Sequence, residues 1–445
     1  MVGAPTTMRV LVTRRHWQVY ETFLAQFERV ARSLSERDSN PRLRRLTVSK
    51  RQFERWYAGA LKTRPHPNQC RVLEELFGLP IAVLLAPHDP VEMADKRTAP
   101  SVAAPPNLER QVAMAARRAL RFTALADGSS VDPETVAQLH DEVARLAAAY
   151  PRLPLSEILG DLVEIQDVMF QLLDQGRVRP AVARDLYLLA GIGTGMLAKA
   201  SHDLGDARSA MTQARAAFVC ADNADHQGLR AWARGLQSLI SYWAGQPEHA
   251  ARYAELGMVA AEQVTGTTRA WTWCLAARAQ AALGDTDTAS ALITTAEAIR
   301  EQVTADDLDA YGGIMTFSRP RQLYYTAAAL AQLPNKPADT LRRAEASVDA
   351  YEHASPQEWA FGDQAGAHNA LAVVRLSMGE LDGAADALGP VLDMPVEQRI
   401  HGVVESARKV HATLCASSLR NATASRVLRQ EIEAFTGVSA RSITA

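Results

Sequence analysis

The chain has 445 residues, of which 47% are hydrophobic and 22% charged, with a formal net charge of −2. This is the composition of a folded protein with a sizeable core, which excludes a disordered chain; the length fits two or three domains or one long repeat array. Its four cysteines, Cys70, Cys220, Cys274 and Cys415, lie far apart without a Cys-x-x-Cys pair. That spacing excludes a dense disulfide framework and fits a reducing cytoplasm.

The charge is divided along the chain. From Met1 to Pro80 there are 15 Lys/Arg against 7 Asp/Glu, and the remainder carries 33 against 43. The N-terminal sequence has no apolar stretch of secretory-signal length. Tyr20, Phe23, Leu24, Phe27, Val30, Ala31 and Leu34 then recur at helical spacing, as do Val72, Leu73, Leu76 and Phe77. Between these two apolar faces lie nine basic residues and one acid, Glu54, from Arg42 to Arg71. A basic front on an acidic body points to an anionic partner for the front. A solvated basic surface is the alternative.

Within this cluster Ser49 is a helix N-cap. The helix that follows places Phe53 and Trp56 towards a core and leaves Lys50, Arg51, Gln52 and Arg55 facing outward, with Gly59 at its end. A short helix with basic and amide side chains in its first turns suits the DNA major groove. Arginine pairs with guanine and glutamine with adenine, while Arg42, Arg44, Arg45, Lys62 and Arg64 suit phosphates.

The stretch 96–107, KRTAPSVAAPPN, has no helical or strand period and reads as a linker between a front domain at 8–95 and a body at 108–445. The body is alanine-rich and helical. Asp132–Pro133 starts a helix whose face is Val136, Leu139, Val143, Leu146 and Tyr150. The stretch Ala181–Ala200 is apolar but holds Arg184, Asp185 and Lys199, so a buried helix is expected and no membrane span. Gly191, Gly193 and Gly195 within it fit close helix packing better than a phosphate loop.

A helix–turn–helix pattern then returns with turn residues at Gly205, Gly245, Gly284, Asn335, Gly379 and Arg420. Five positions on stands a small residue: Ala210, Ala250, Ala289, Thr340, Ala384. Seven further stands Ala217, Gly257, Ala296, Ser347 or Val391. A single hairpin cannot bury its apolar face, so the hairpins must stack, and the expected fold is an all-α protein with a C-terminal α-solenoid. These spacings resemble the tetratricopeptide repeat, although the units are longer and most lack its closing proline.

Counting back from each turn puts Lys199, His202, Trp232, Tyr242, Trp271, Arg278, Gln322, Tyr325 and Asn369 on the concave side. Aromatic, guanidinium and amide groups together suit a peptide or small molecule. Packing between helices is the alternative for each alone.

The segments VSKRQFERWYAG and PNQCRVLEELFGLPIAVLL, with GLRAWARGLQSLISYWAGQP and MGELDGAADALGPVL, resemble the actinobacterial Xre-like regulators. In that family a helix-turn-helix domain precedes a linker and a tetratricopeptide-type array. The resemblance implies a cytoplasmic, homodimeric transcription regulator that binds double-stranded DNA. By the same likeness to peptide-pheromone receptors of Gram-positive bacteria, a peptide, small molecule or protein partner occupies the repeat groove. The rival expectation is a repeat scaffold that binds protein and no DNA. No P-loop, His-Glu-x-x-His or Gly-x-Ser-x-Gly motif is present, so neither cofactor, metal nor enzymatic activity is expected.

Overall fold

The computed structural model describes residues 6–14, 17, 20–37, 43, 46–58, 65–77, 79, 81–86, 131–174, 179–333 and 337–440. The chain divides into two compact units, Met1–Pro106 and Asn107–Ala445. The expected linker lies outside the described residues. The described elements are helical, with no strand among them.

In the first unit α1 (Thr7–Arg14), α2 (Tyr20–Arg37), α3 (Lys50–Tyr57), α4 (Pro67–Phe77) and α5 (Ile81–Leu85) share one core. Helix α2 packs on α4, and α1 on α3 and α5. The apolar periodicity of α2 buries Phe23, Phe27, Ala31 and Leu34. Phe23 stacks on Phe53 of α3 at 4.5 Å, and the Tyr20 hydroxyl donates to the Val48 carbonyl at 2.7 Å. These contacts fix α3 across α2. Helix α3 ends at Tyr57 with Ala58 as its C-cap, one residue ahead of Gly59, which lies outside the described residues.

In the second unit the first described helices are α6 (Pro133–Ala149) and α7 (Leu155–Asp174). Asp132 caps α6 by accepting from the Glu134 amide at 3.2 Å, and Pro133 fills the first turn. Six hairpins follow. Their first helices are α8 (Pro180–Asp203), α10 (Gln227–Trp243), α12 (Thr267–Leu283), α14 (Arg319–Leu330), α16 (Phe361–Ser377) and α18 (His401–Ala416). Their second helices are α9 (Ala207–Asn223), α11 (Pro247–Ala260), α13 (Thr286–Arg300), α15 (Pro337–Glu352), α17 (Leu381–Leu392) and α19 (Thr423–Thr436).

The turn chemistry is local. Gly205, Gly245, Gly284 and Gly379 take φ between 71° and 82°, a region that costs glycine little. In the two Leu-Gly-Asp turns the next residue starts the following helix: Asp206 accepts from the Ser209 amide at 3.0 Å and Asp285 from the Thr288 amide at 3.1 Å. Asn335 lies outside the described residues. Arg420 does not act as such a turn residue; it sits in the 3₁₀ turn Ser418–Asn421 without a positive φ. The small residues of the repeat are all buried, from Ala210 to Val391. The long spacing from Gly284 to Asn335 is taken up by residues 301–318, which carry two 3₁₀ turns and pack against α6.

The first helices of the hairpins form the inner layer, each packed on the next, and α18 returns to α8. His202 and His401 meet edge to face at 5.7 Å, and the Lys409 ammonium donates to the Tyr242 hydroxyl at 3.0 Å. The array therefore closes on itself. Its concave side is drawn in to a recess that stays partly open to solvent, with Lys409 exposed at its edge. Helix α8 is the one described helix long and apolar enough to cross a membrane, and most of its apolar window is buried in this unit.

Candidate functional site

Two places carry chemistry. On α3 the Ser49 hydroxyl accepts from the Gln52 amide at 3.3 Å, while Gln52 Oε1 accepts from the Ser49 amide at 3.0 Å. This reciprocal cap fixes the helix start. Phe53 and Trp56 are buried, each 3% exposed, while Ser49, Lys50, Arg51 and Arg55 are exposed. Gln52 is half-buried, and the oxygen of its side chain is held by the cap. Arg42, Arg44, Arg45, Lys62 and Arg64 lie outside the described residues.

The second place is the interior of the helical ring. A cavity of about 450 Å³ is walled by five of the six inner helices. Much of its wall is alanine: Ala281 and Ala282 from α12, Ala328 from α14, Ala370 from α16, Ala412 from α18. A narrower cleft of about 70 Å³ continues from it towards α8. Arg278, Trp243 and Tyr324 line both.

Arg278 stands at this junction, 2% exposed. Four rings surround its guanidinium: Tyr325 at 4.4 Å, Tyr242 at 4.5 Å, Trp243 at 5.5 Å and Tyr324 at 5.8 Å. Ring faces attract a cation and offset part of its desolvation. Yet Nε and Nη1 of Arg278 have no hydrogen-bond partner. Burial alone raises the Tyr242 phenol, but Arg278 and Lys409 beside it draw it below its usual pKa. Asn369 donates from Nδ2 to the Ser406 hydroxyl at 2.8 Å, while its buried Oδ1 has no partner.

The narrow cleft is polar and internally paired. Lys199 donates to Asp203, which also accepts from the Tyr150 hydroxyl at 2.9 Å. Arg321 faces Asp363 at 2.9 Å. Burial, with Lys199, His401 and Arg278 nearby, holds the His202 imidazole well below its usual pKa and therefore neutral.

Six of the nine side chains counted back from the turns thus meet at the interior: Lys199, His202 and Tyr325 at the cleft, Tyr242 and Asn369 at the wider cavity, and Arg278 at both. Three do not. Trp232 and Trp271 fill spaces between successive inner helices. A Cβ at Gly195 would lie 2.1 Å from the Trp232 ring, and one at Gly235 2.5 Å from the Trp271 ring. These tryptophans are knobs seated on glycines, and the glycine run of α8 serves close packing, as its spacing suggested. Gln322 is buried and structural: it accepts from Arg300 Nε and donates to the Ala296 carbonyl at 3.1 Å. Lys409, Trp243 and Tyr324 escaped the count. Lys409 lies in the last hairpin, whose turn has no glycine to count from.

Among the described residues no group of three His, Cys, Asp or Glu side chains could hold a metal ion. No protein-family model matches the chain, and no curated protein matches it in sequence.

Proposed function

We propose that the chain is a DNA-binding transcription regulator of the Xre-like, tetratricopeptide-type kind, whose first unit contacts double-stranded DNA and whose repeat unit takes a peptide or small-molecule ligand in its interior. The observation that carries the DNA half is the division of α3 into two faces. Phe53 and Trp56 hold it to the core, and Lys50, Arg51 and Arg55 stand exposed opposite. A short, capped, basic helix anchored by aromatics is what a major groove accepts. In this reading α3 is the recognition helix of a helix-turn-helix, Ser49 and the basic side chains around it contact phosphates, and Arg51 and Arg55 reach base edges. The engaged Gln52 oxygen leaves its amide nitrogen for that role.

The ligand half rests on the cavity and on the two Arg278 nitrogens beside it that have no hydrogen-bond partner. Ligand binding biases the repeat unit between conformations, and that bias changes operator affinity in a homodimer. The scheme places the protein in the cytoplasm and assigns it no catalytic step.

Electrophoretic retardation of duplex DNA from the protein's own upstream region, at two salt concentrations, tests the DNA half. Retardation should weaken steeply with salt and be lost in Arg51→Ala and Arg55→Ala. A repeat scaffold that contacts only proteins would retard no duplex at either salt.

A further inference from the structure

We infer that the interior cavity binds an organic monocarboxylate, its carboxylate held by Arg278 and Lys409, an adjacent N–H or O–H donated to Asn369 Oδ1, and its apolar body laid against the alanine wall. The inference rests on the reading that the repeat unit takes a ligand in its interior, and it names the chemistry of that ligand.

The argument starts from the charge. Arg278 and Lys409 both line the cavity, and among the described residues no Asp or Glu does. Among the described residues neither cation forms an ion pair with a carboxylate; the ionisable groups that act most strongly on Arg278 are Tyr324, Tyr242 and Tyr325. A buried guanidinium is ordinarily matched by an acid or by full hydrogen bonding. Here the protein supplies rings on several sides and leaves the buried Nε and Nη1 without a hydrogen-bond partner. Each of them forms one edge of the planar guanidinium with Nη2, and a carboxylate matches such an edge. The neighbouring cleft differs: there Lys199 has Asp203 and Arg321 has Asp363. Its positive charges are balanced from within, and the cavity's are not.

A single negative charge fits better than a phosphate dianion. Tyr242 and Trp243 sit in the last turn of α10, Ala281 and Ala282 in the last turn of α12, and Ala328 and Ala331 at the end of α14. Three helix C-termini thus converge on the cavity, and their partial negative charge opposes each added anionic charge. Helix N-terminal amides, the usual cradle of phosphate, are not what these helices present.

The remaining polar and apolar features agree. Asn369 Oδ1 is buried without a donor, which calls for an N–H or O–H on the ligand. The alanines leave space without polarity, and a volume of about 450 Å³ suits a molecule of small-ligand size. Both the C-terminus of a short peptide and a free N-acylated amino acid carry a carboxylate, an N–H and an apolar body.

Matched probes test this with the full-length chain by calorimetry. N-acetyl-phenylalanine and the peptide Ala-Leu-Phe are compared with their C-terminal amides, which keep the shape and remove the charge. The acids should bind, and the amides should bind more weakly by about tenfold or more. The same loss is expected for the acids on Arg278→Met and on Lys409→Gln, the second at an exposed position, with circular dichroism confirming that each variant keeps its helical content. Tighter binding of Ala-Leu-Phe assigns the carboxylate to a peptide terminus, and tighter binding of N-acetyl-phenylalanine to a small acid. Amides that bind as well as acids would overturn the anion assignment while leaving the interior as a ligand site. Failure of all four probes at millimolar concentration would overturn both.

Discussion

Substituting Gly195 by alanine isolates the packing rule of the inner ring. In a helix interior this change normally stabilises by about 1 kcal/mol, because alanine loses less backbone entropy. At Gly195 the new Cβ would stand 2.1 Å from Cζ3 and 2.8 Å from Cη2 of Trp232. The ring cannot withdraw. It is 2% exposed, and its neighbour Trp271, 6.4 Å away between centroids, is itself seated on Gly235. Overfilling a tight core costs about 1–3 kcal/mol, and contact this short belongs at the upper end. The net expectation is a loss of about 2 kcal/mol, read as a lower urea midpoint by circular dichroism of the full-length chain. Gly160→Ala on α7 is the control: nothing lies within 4 Å of its Cβ, so it should gain about 0.5–1 kcal/mol. Pairing Gly195→Ala with Trp232→Leu should recover part of the loss, since the two residues act through one contact. If Gly195→Ala stabilised the protein as much as Gly160→Ala does, the account of Trp232 as a knob seated on glycine would be wrong.

Three further outcomes follow from particular groups. Ser49→Ala removes the reciprocal cap of α3 and should cost about 0.5–2 kcal/mol of stability in the first unit; Ser49→Gly should cost less. His202 is neutral in the folded protein because burial, with Lys199, His401 and Arg278 around it, lowers its pKa below 6.5. The unfolded chain therefore binds more protons than the folded one as pH falls. Its contribution is fully present above about pH 6.5 and is lost below it, so the urea midpoint should drop between pH 7.5 and 5.5 and drop less in His202→Gln. Burial pushes the Cys220 thiol up to about 11 and the Cys274 thiol up to about 12. At mildly alkaline pH both should resist alkylation in the native state, and peptide mapping that finds Cys274 labelled as fast as in denatured protein would contradict their burial.

Local chemistry is the part of this protein its sequence carries openly. A glycine followed by aspartate ends one helix and begins the next through φ and a side-chain cap, and both act within a few residues. The small residue five positions on is likewise a near neighbour of its own turn. On α3 the three-residue step from Phe53 to Trp56 suffices to orient the buried face, and the basic face follows from it.

The interior was legible only in part. Counting back from the turns finds which side chains face inward, because helical period is local, and it leads to Arg278, Tyr242, Tyr325 and Asn369. It cannot separate an inward aromatic that lines a cavity from one that fills a hole in the next helix. Trp232 and Trp271 differ from Tyr242 in meeting Gly195 and Gly235 on the preceding inner helix. Closure itself is a matter of tertiary structure. Lys409 reaches Tyr242 across 167 residues, through the small rotation that each hairpin adds to the last. Residue types fix each hairpin, but whether six of them leave a wide groove or draw it in to a narrow recess depends on the sum of their packing angles, and that sum belongs to the assembled fold alone.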